Sequence, residues 1–133
     1  MNQLSIYAEN KQGMFQIITN TLEQEGINIL GSVTNDSAEY GIIRMVVSDT
    51  EKAYEALTKE GFLCRTTPVL GVEIFDEVGA LNRLLSYLRD CNINVDYLYL
   101  SFNRDSGMPI IVLHTEDVPE VKNCLEAKGF CVL

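Results

Sequence analysis

One pattern occurs twice in this chain. Asn10-Lys11-Gln12-Gly13-Met14 follows an alternating apolar run (Leu4, Ile6, Ala8) and precedes a helical pattern. Asp76-Glu77-Val78-Gly79-Ala80 stands in the same position after Leu70, Val72 and Ile74. Gly13 and Gly79 lie 66 positions apart, and the same offset lays Leu22 on Leu88, Ile27 on Ile93 and Asn28 on Asn94. Beyond Ser106-Gly107 the offset becomes 68, so that Ile42-Ile43 falls on Ile110-Ile111 and Gly61-Phe62 on Gly129-Phe130. The second copy has gained two residues in one hairpin. The chain is an internal duplication, with copies at 1–67 and 68–133. A copy of this length is small for a solitary domain, and Pro68 is the whole linker, so the two are expected to share a surface.

Each copy reads strand, glycine turn, helix, strand, strand, helix, strand. In the first, Leu4 to Ala8 alternates with period two. Met14, Ile17, Ile18 and Leu22 recur at helical spacing, and Gly26 closes that helix. A second strand is expected over 27–34, turn chemistry at Asn35-Asp36-Ser37, and a third, very apolar strand from Tyr40 to Val47. Ser48-Asp49-Thr50-Glu51 fits a capping box for a helix with Ala53, Ala56 and Leu57 inside. Phe62 to Thr67 completes the copy.

The second copy repeats this order. It has Val69 to Phe75, a helix on Leu81, Leu84, Leu85 and Leu88, then Val95 to Phe102 and Ile110 to His114. A helix opened by Asp117-Val118-Pro119-Glu120 and a strand from Phe130 to Leu133 follow. In the Tyr97 to Phe102 strand the leucine side (Leu98, Leu100, Phe102) reads as core, and the Tyr97, Tyr99, Ser101 side as a contact surface between repeats or subunits. The βαββαβ order implies an α+β fold of two ferredoxin-like repeats. Their antiparallel sheets are expected to join side by side into eight strands with the helices on one face.

Composition removes several function classes. At 47% hydrophobic and 22% charged residues the chain has material for a core. Its net charge of −9 is shared almost evenly by the copies and gathers into no basic patch, which argues against nucleic acid and anionic membrane as partners. No apolar run approaches the roughly 18 residues that span a bilayer, and the N-terminus enters a strand pattern directly, so a cytoplasmic protein is expected. Cys64, Cys91, Cys124 and Cys131 form no Cys-x-x-Cys pair, and the single His114 cannot complete a zinc site with them. Buried free thiols, no metal and no cofactor are expected. One histidine also cannot supply a catalytic triad or a metalloprotease motif, and neither glycine turn matches a phosphate loop, so no catalytic residues are assigned.

What remains is binding chemistry. A strand that enters a helix through glycine presents unpaired backbone N–H groups at the positive end of the helix dipole, where a small carboxylate is favoured. A lone glycine only permits a tight turn; two at matched positions are a more specific signal. Asn28 and Asn94 each stand where the second strand begins, and an asparagine amide can serve either end of a zwitterion without adding charge. His114, at the end of an apolar strand, reads as a surface or satisfied edge histidine, with contact to a ligand as the alternative.

These residues resemble the ACT domain family. The resemblance rests on Asn10-Lys11-Gln12-Gly13-Met14 followed by Gly26-Ile27-Asn28-Ile29, and on Asp76-Glu77-Val78-Gly79-Ala80 followed by Asn92-Ile93-Asn94-Val95. It covers nearly the whole chain as two tandem copies. It implies a regulatory module that holds a free amino acid between paired copies, the glycine turn of one against the second strand of the other. By position, the first turn (Asn10, Gln12, Gly13, Met14) faces Asn94 and Val95, and the second (Asp76, Val78, Gly79, Ala80) faces Asn28 and Ile29.

The family's turns commonly read Asp-basic-Pro-Gly. Gln12 and Val78 replace both prolines, and Glu77 replaces the basic residue, which predicts that the second turn repels a carboxylate. The resemblance further implies a homodimer and a metabolic enzyme as partner. The alternative is an interaction subunit that binds no ligand. A small enzyme centred on His114 or Cys91 and an RNA-recognition module are the remaining rivals, the last opposed by the acidic charge.

Overall fold

The protein is described by a computed structural model covering residues 1–9, 11–36 and 40–133. The first copy runs β1 (Asn2–Glu9), α1 (Met14–Gln24), β2 (Ile29–Asp36), β3 (Tyr40–Val47), α2 (Thr50–Lys59) and β4 (Leu63–Pro68). The second runs β5 (Leu70–Glu73), α3 (Ala80–Asp90), β6 (Tyr97–Phe102), β7 (Pro109–His114), α4 (Val118–Ala127) and β8 (Cys131–Val132). Hydrogen bonding closes each sheet at four strands, in the orders β2-β3-β1-β4 and β6-β7-β5-β8. The strand pairs whose register is described are antiparallel. The chain divides into two compact units, Asn2–Thr67 and Pro68–Leu133, with Met1 grouped with the second.

In the first unit, alternation along β1 and β3 puts Leu4, Ile6, Ala8, Ile43, Met45 and Val47 on one sheet face. Ile18 and Leu22 of α1 and Ala53 and Leu57 of α2 pack against it. Both helices therefore cover the same face, as a βαββαβ chain requires. The second unit repeats the arrangement: Leu70, Val72, Ile111 and Leu113 meet Leu84 and Leu88 of α3 and Val121 and Leu125 of α4.

Local hydrogen bonds move several expected boundaries. β2 begins at Ile29, not Ile27, because the Ile27 N–H closes the end of α1 on the Leu22 carbonyl at 2.9 Å. Asn28 is then held by Ser48, whose Oγ accepts from the Asn28 N–H and whose own N–H donates to the Asn28 carbonyl, both at 2.9 Å. This also corrects the capping box: with Ser48 engaged, Asp49 caps α2, accepting from the Lys52 N–H at 3.1 Å. Asp117 caps α4 in the same way, through the Glu120 N–H at 3.1 Å.

Asn35 and Asp36 belong to β2 rather than to a turn, paired with Ile42 and Gly41; Ser37 lies outside the described residues. Pro68 ends β4, and Val69 alone separates it from β5. Within α1, Ile17 is 43% exposed. At 3.6 residues per turn it stands about 140° round the helix from Leu22.

Two readings of exposure are corrected. On β6 only Leu98 of the leucine side packs on the core; Leu100 and Phe102 are 51% and 45% exposed on this edge strand. Tyr99 and Ser101 are buried. All four cysteines are free, but only Cys64 is buried. Burial pushes its thiol above the ordinary pKa. Cys91 and Cys131 are exposed because one caps the C-terminus of α3 and the other sits on the two-residue edge strand β8.

Candidate ligand-binding site

The four helices among the described residues start in two different ways. α2 and α4 have aspartate caps and an acidic residue, Glu51 or Glu120, in the first turn. α1 and α3 have Gly13 and Gly79 at the cap, no side-chain cap bond and no acidic residue in the first turn. Both glycines are left-handed, with φ of 86° and 89°, a conformation that costs any residue with a Cβ.

The two turns also close alike. Lys11 and Glu77 donate backbone N–H groups to the Glu9 and Phe75 carbonyls, each at 2.9 Å. The Met14 and Ala80 N–H groups reach the Lys11 and Glu77 carbonyls at 3.4 and 3.2 Å. The next two N–H groups of each helix, on Phe15 and Gln16 and on Leu81 and Asn82, have no intrahelical acceptor within reach. These helix starts are therefore positive, donor-rich and free of competing carboxylates from their own first turn.

The turns differ in charge. Lys11 pairs with Glu9 at 3.2 Å. Glu77, expected to repel a carboxylate, is bound by the Arg83 guanidinium from one turn into α3. The acidic turn is thereby compensated, and the sequence objection to it loses its force. Arg83 had no signal in the sequence, because the pair spans the turn at a spacing of six residues, outside the helical i, i+4 rule.

The asparagines differ too. Asn28 is fixed by its backbone to Ser48, and among the described residues its exposed side-chain amide makes no hydrogen bond. Asn94 is exposed, but its Nδ2 donates to Asp96 Oδ1 at 3.1 Å. Asp96 Oδ2 lies 2.8 Å from His114 Nδ1, and the His114 ring stacks on Tyr97 with centroids 5.1 Å apart. His114 is thus satisfied, as read from the sequence, but it ends β7, an inner strand and not the expected edge. The Asn94 side-chain oxygen is left as an acceptor.

Within the first unit, Met14 lines a cavity of about 190 Å³ with Lys11 and Phe15, while Asn28 and Ile29 line a separate open hollow beyond Leu22. The turn and the asparagine of that copy do not meet. In the second unit Val95 packs on the core, and Asp76, Val78 and Gly79 are exposed, as Gln12 and Gly13 are in the first. Asn10 lies outside the described residues. Among the described residues no cluster of histidine, cysteine and carboxylate side chains can hold a metal ion, and no helix is long and apolar enough to cross a membrane.

A family description, "ACT domain pair", matches residues 1–129. The chain is an ACT domain pair. A crystal structure of a protein from Bacteroides thetaiotaomicron is similar to it at 31% identity and a TM-score of 0.91, over 99% of this chain and 90% of that one. The regulatory subunit of aspartate kinase from Thermus thermophilus is similar in fold, at 14% identity and a TM-score of 0.68, over 95% of this chain and 88% of that one. The corresponding subunit from Thermus flavus has 16% identity and a TM-score of 0.66, over 92% and 86%. No curated protein matches the chain. Each of the two units described above carries one of the glycine turns, at matched positions.

Proposed function

We propose that this ACT domain pair is a regulatory protein that binds a free amino acid and passes its level to a metabolic enzyme. The observation that carries the reading is the matched pair of glycine-capped helix starts, which leave donors open where α2 and α4 fill theirs with aspartate. The ligand carboxylate sits on the first-turn N–H groups beside Gln12, Gly13 and Met14, or beside Val78, Gly79 and Ala80. Its ammonium is met by the asparagine amide of a second ACT copy, from the same chain or another. Asn28 with Ile29 and Asn94 with Val95 are the two positions that supply it, and Asn10 and Asp76 flank the turns.

The fold shared with regulatory subunits of aspartate kinase supports an output through another polypeptide, and no catalytic role is proposed. A ligand of this kind acts by linkage: it favours one pairing of ACT copies by its differential affinity, and a partner that reads the pairing is biased by the same amount.

A thermal-shift screen of the whole chain against the twenty amino acids tests this. A ligand at a hundred times its Kd adds about 2.7 kcal/mol, a shift of several degrees for a chain this size. One chemically related group of amino acids is expected to raise the midpoint, and Asn28→Ala with Asn94→Ala to remove the effect. No response to any amino acid would reject the sensor and favour an interaction subunit.

A further inference from the structure

The second copy contains a cavity of about 490 Å³ bounded wholly by its own residues, at the C-terminal end of β5 between the start of α3 and the α4–β8 turn. That volume lies in the range of small-molecule sites, roughly 300–1,000 Å³. Its walls are apolar: Ile74, Phe75, Tyr87 and Phe130, with the last two rings 5.8 Å apart. Two of the chain's ten basic side chains, Arg83 and Lys128, also line it. Lys128 Nζ stands 5.6 Å from the Tyr87 ring centre and, among the described residues, pairs with no carboxylate. Arg83 keeps guanidinium donors beyond those that bind Glu77. The acidic group of the lining, Glu73, already accepts from Asn103 Nδ2 at 2.7 Å.

The first copy shows which of these features belong to the fold and which do not. At the offsets of 66 and 68, Ile17 stands for Arg83 and Glu60 for Lys128. Glu9 stands for Phe75, Thr21 for Tyr87, and the larger Met14 for Ala80. Both cations, two aromatic walls and the small residue that opens the space are thus properties of the second copy alone. In a chain of net charge −9, cations gathered beside an aromatic hollow are out of keeping with the rest of the surface.

We propose that the second ACT copy holds a site of its own for a small carboxylate with an apolar body, its acid group on Lys128 and Arg83 and its body between Phe75 and Phe130. The site goes beyond the amino-acid reading; it shares Ala80 with it, and Arg83, which also compensates Glu77 of that turn.

Benzoate and hexanoate are the probes, with acetate as the control, in thermal-shift and calorimetric titrations of the intact chain. Both probes are expected to raise the midpoint by several degrees at saturation while acetate does not. Lys128→Glu and Arg83→Ile each weaken binding about tenfold or more. Ala80→Met abolishes it by filling the cavity. These are the first copy's residues, and because positions 83 and 128 are exposed, those two variants carry the test if Ala80→Met fails to fold.

Asn28→Ala and Asn94→Ala leave the benzoate response unchanged, whatever they do to the response to amino acids, so the two sites stand or fall separately. The proposal is overturned if neither probe binds, if acetate equals benzoate, if Lys128→Glu and Arg83→Ile bind benzoate as the parent does, or if Asn94→Ala removes the benzoate shift.

Discussion

The two ACT copies share a frame and differ in what they place on it. Their sheet orders are the same, their helix pairs cover the same sheet face, and both first helices begin on a left-handed glycine. The differences gather at the turn and around it. One copy pairs its turn lysine with Glu9, the other its turn glutamate with Arg83; one leaves its asparagine amide open, the other ties it through Asp96 to His114. Duplication has preserved the parts that core packing and backbone geometry dictate. It has let the exposed chemistry diverge, as expected where substitution costs little stability.

The comparison can be broken most sharply at the core. Leu22→Ala and Leu88→Ala remove fully buried side chains at matched positions. Each is expected to cost about 2–5 kcal/mol in urea unfolding, with similar values for the two. Very unequal losses would show that the copies do not carry equivalent cores. Gly13→Ala and Gly79→Ala come next, at about 1–2 kcal/mol each for forcing a Cβ into the left-handed region, again read from denaturant midpoints. A neutral result at either turn would mean that its glycine is not constrained by φ.

The capped helices sharpen the contrast from the other side. Asp49→Ala and Asp117→Ala should each lose about 1 kcal/mol. The smallest effect is expected for Arg83→Ala: the Glu77 pair is exposed on both sides, so the loss should stay below about 1 kcal/mol in thermal unfolding and shrink with added salt.

Much of the frame was legible in the sequence, because each element carries its own period and the second copy repeats it. β3 was read at its observed limits, Tyr40–Val47, since an apolar run between turn residues has few alternatives. The errors fall where one residue has two uses. Ser48 has the right spacing for a cap, yet its hydroxyl is taken by Asn28, a partner twenty residues away. Leu100 and Phe102 alternate as core residues do, but they lie on an edge strand, and alternation does not report where cover ends.

The glycine turns were legible as a candidate site because backbone conformation constrains residue type there. The cavity of the second copy was not, because no short motif encodes it. It depends on residues from β5, α3 and the α4–β8 turn, and it emerges from the sequence only when Ala80 is set against Met14 and Lys128 against Glu60.

A chain that contains the same strand order twice can also pair its strands wrongly during folding, since a fourth strand from one copy resembles the fourth strand the other copy awaits. Here the two are unequal: β4 runs for six residues and β8 for two. Their acceptors are unequal as well, with eight residues in β1 and four in β5. β8 added to β1 would leave most of that edge without hydrogen-bond partners, whereas β4 added to β5 would overhang it. The unequal strands thus make an exchange of β4 and β8 between the copies a poorer match in length than the observed pairing.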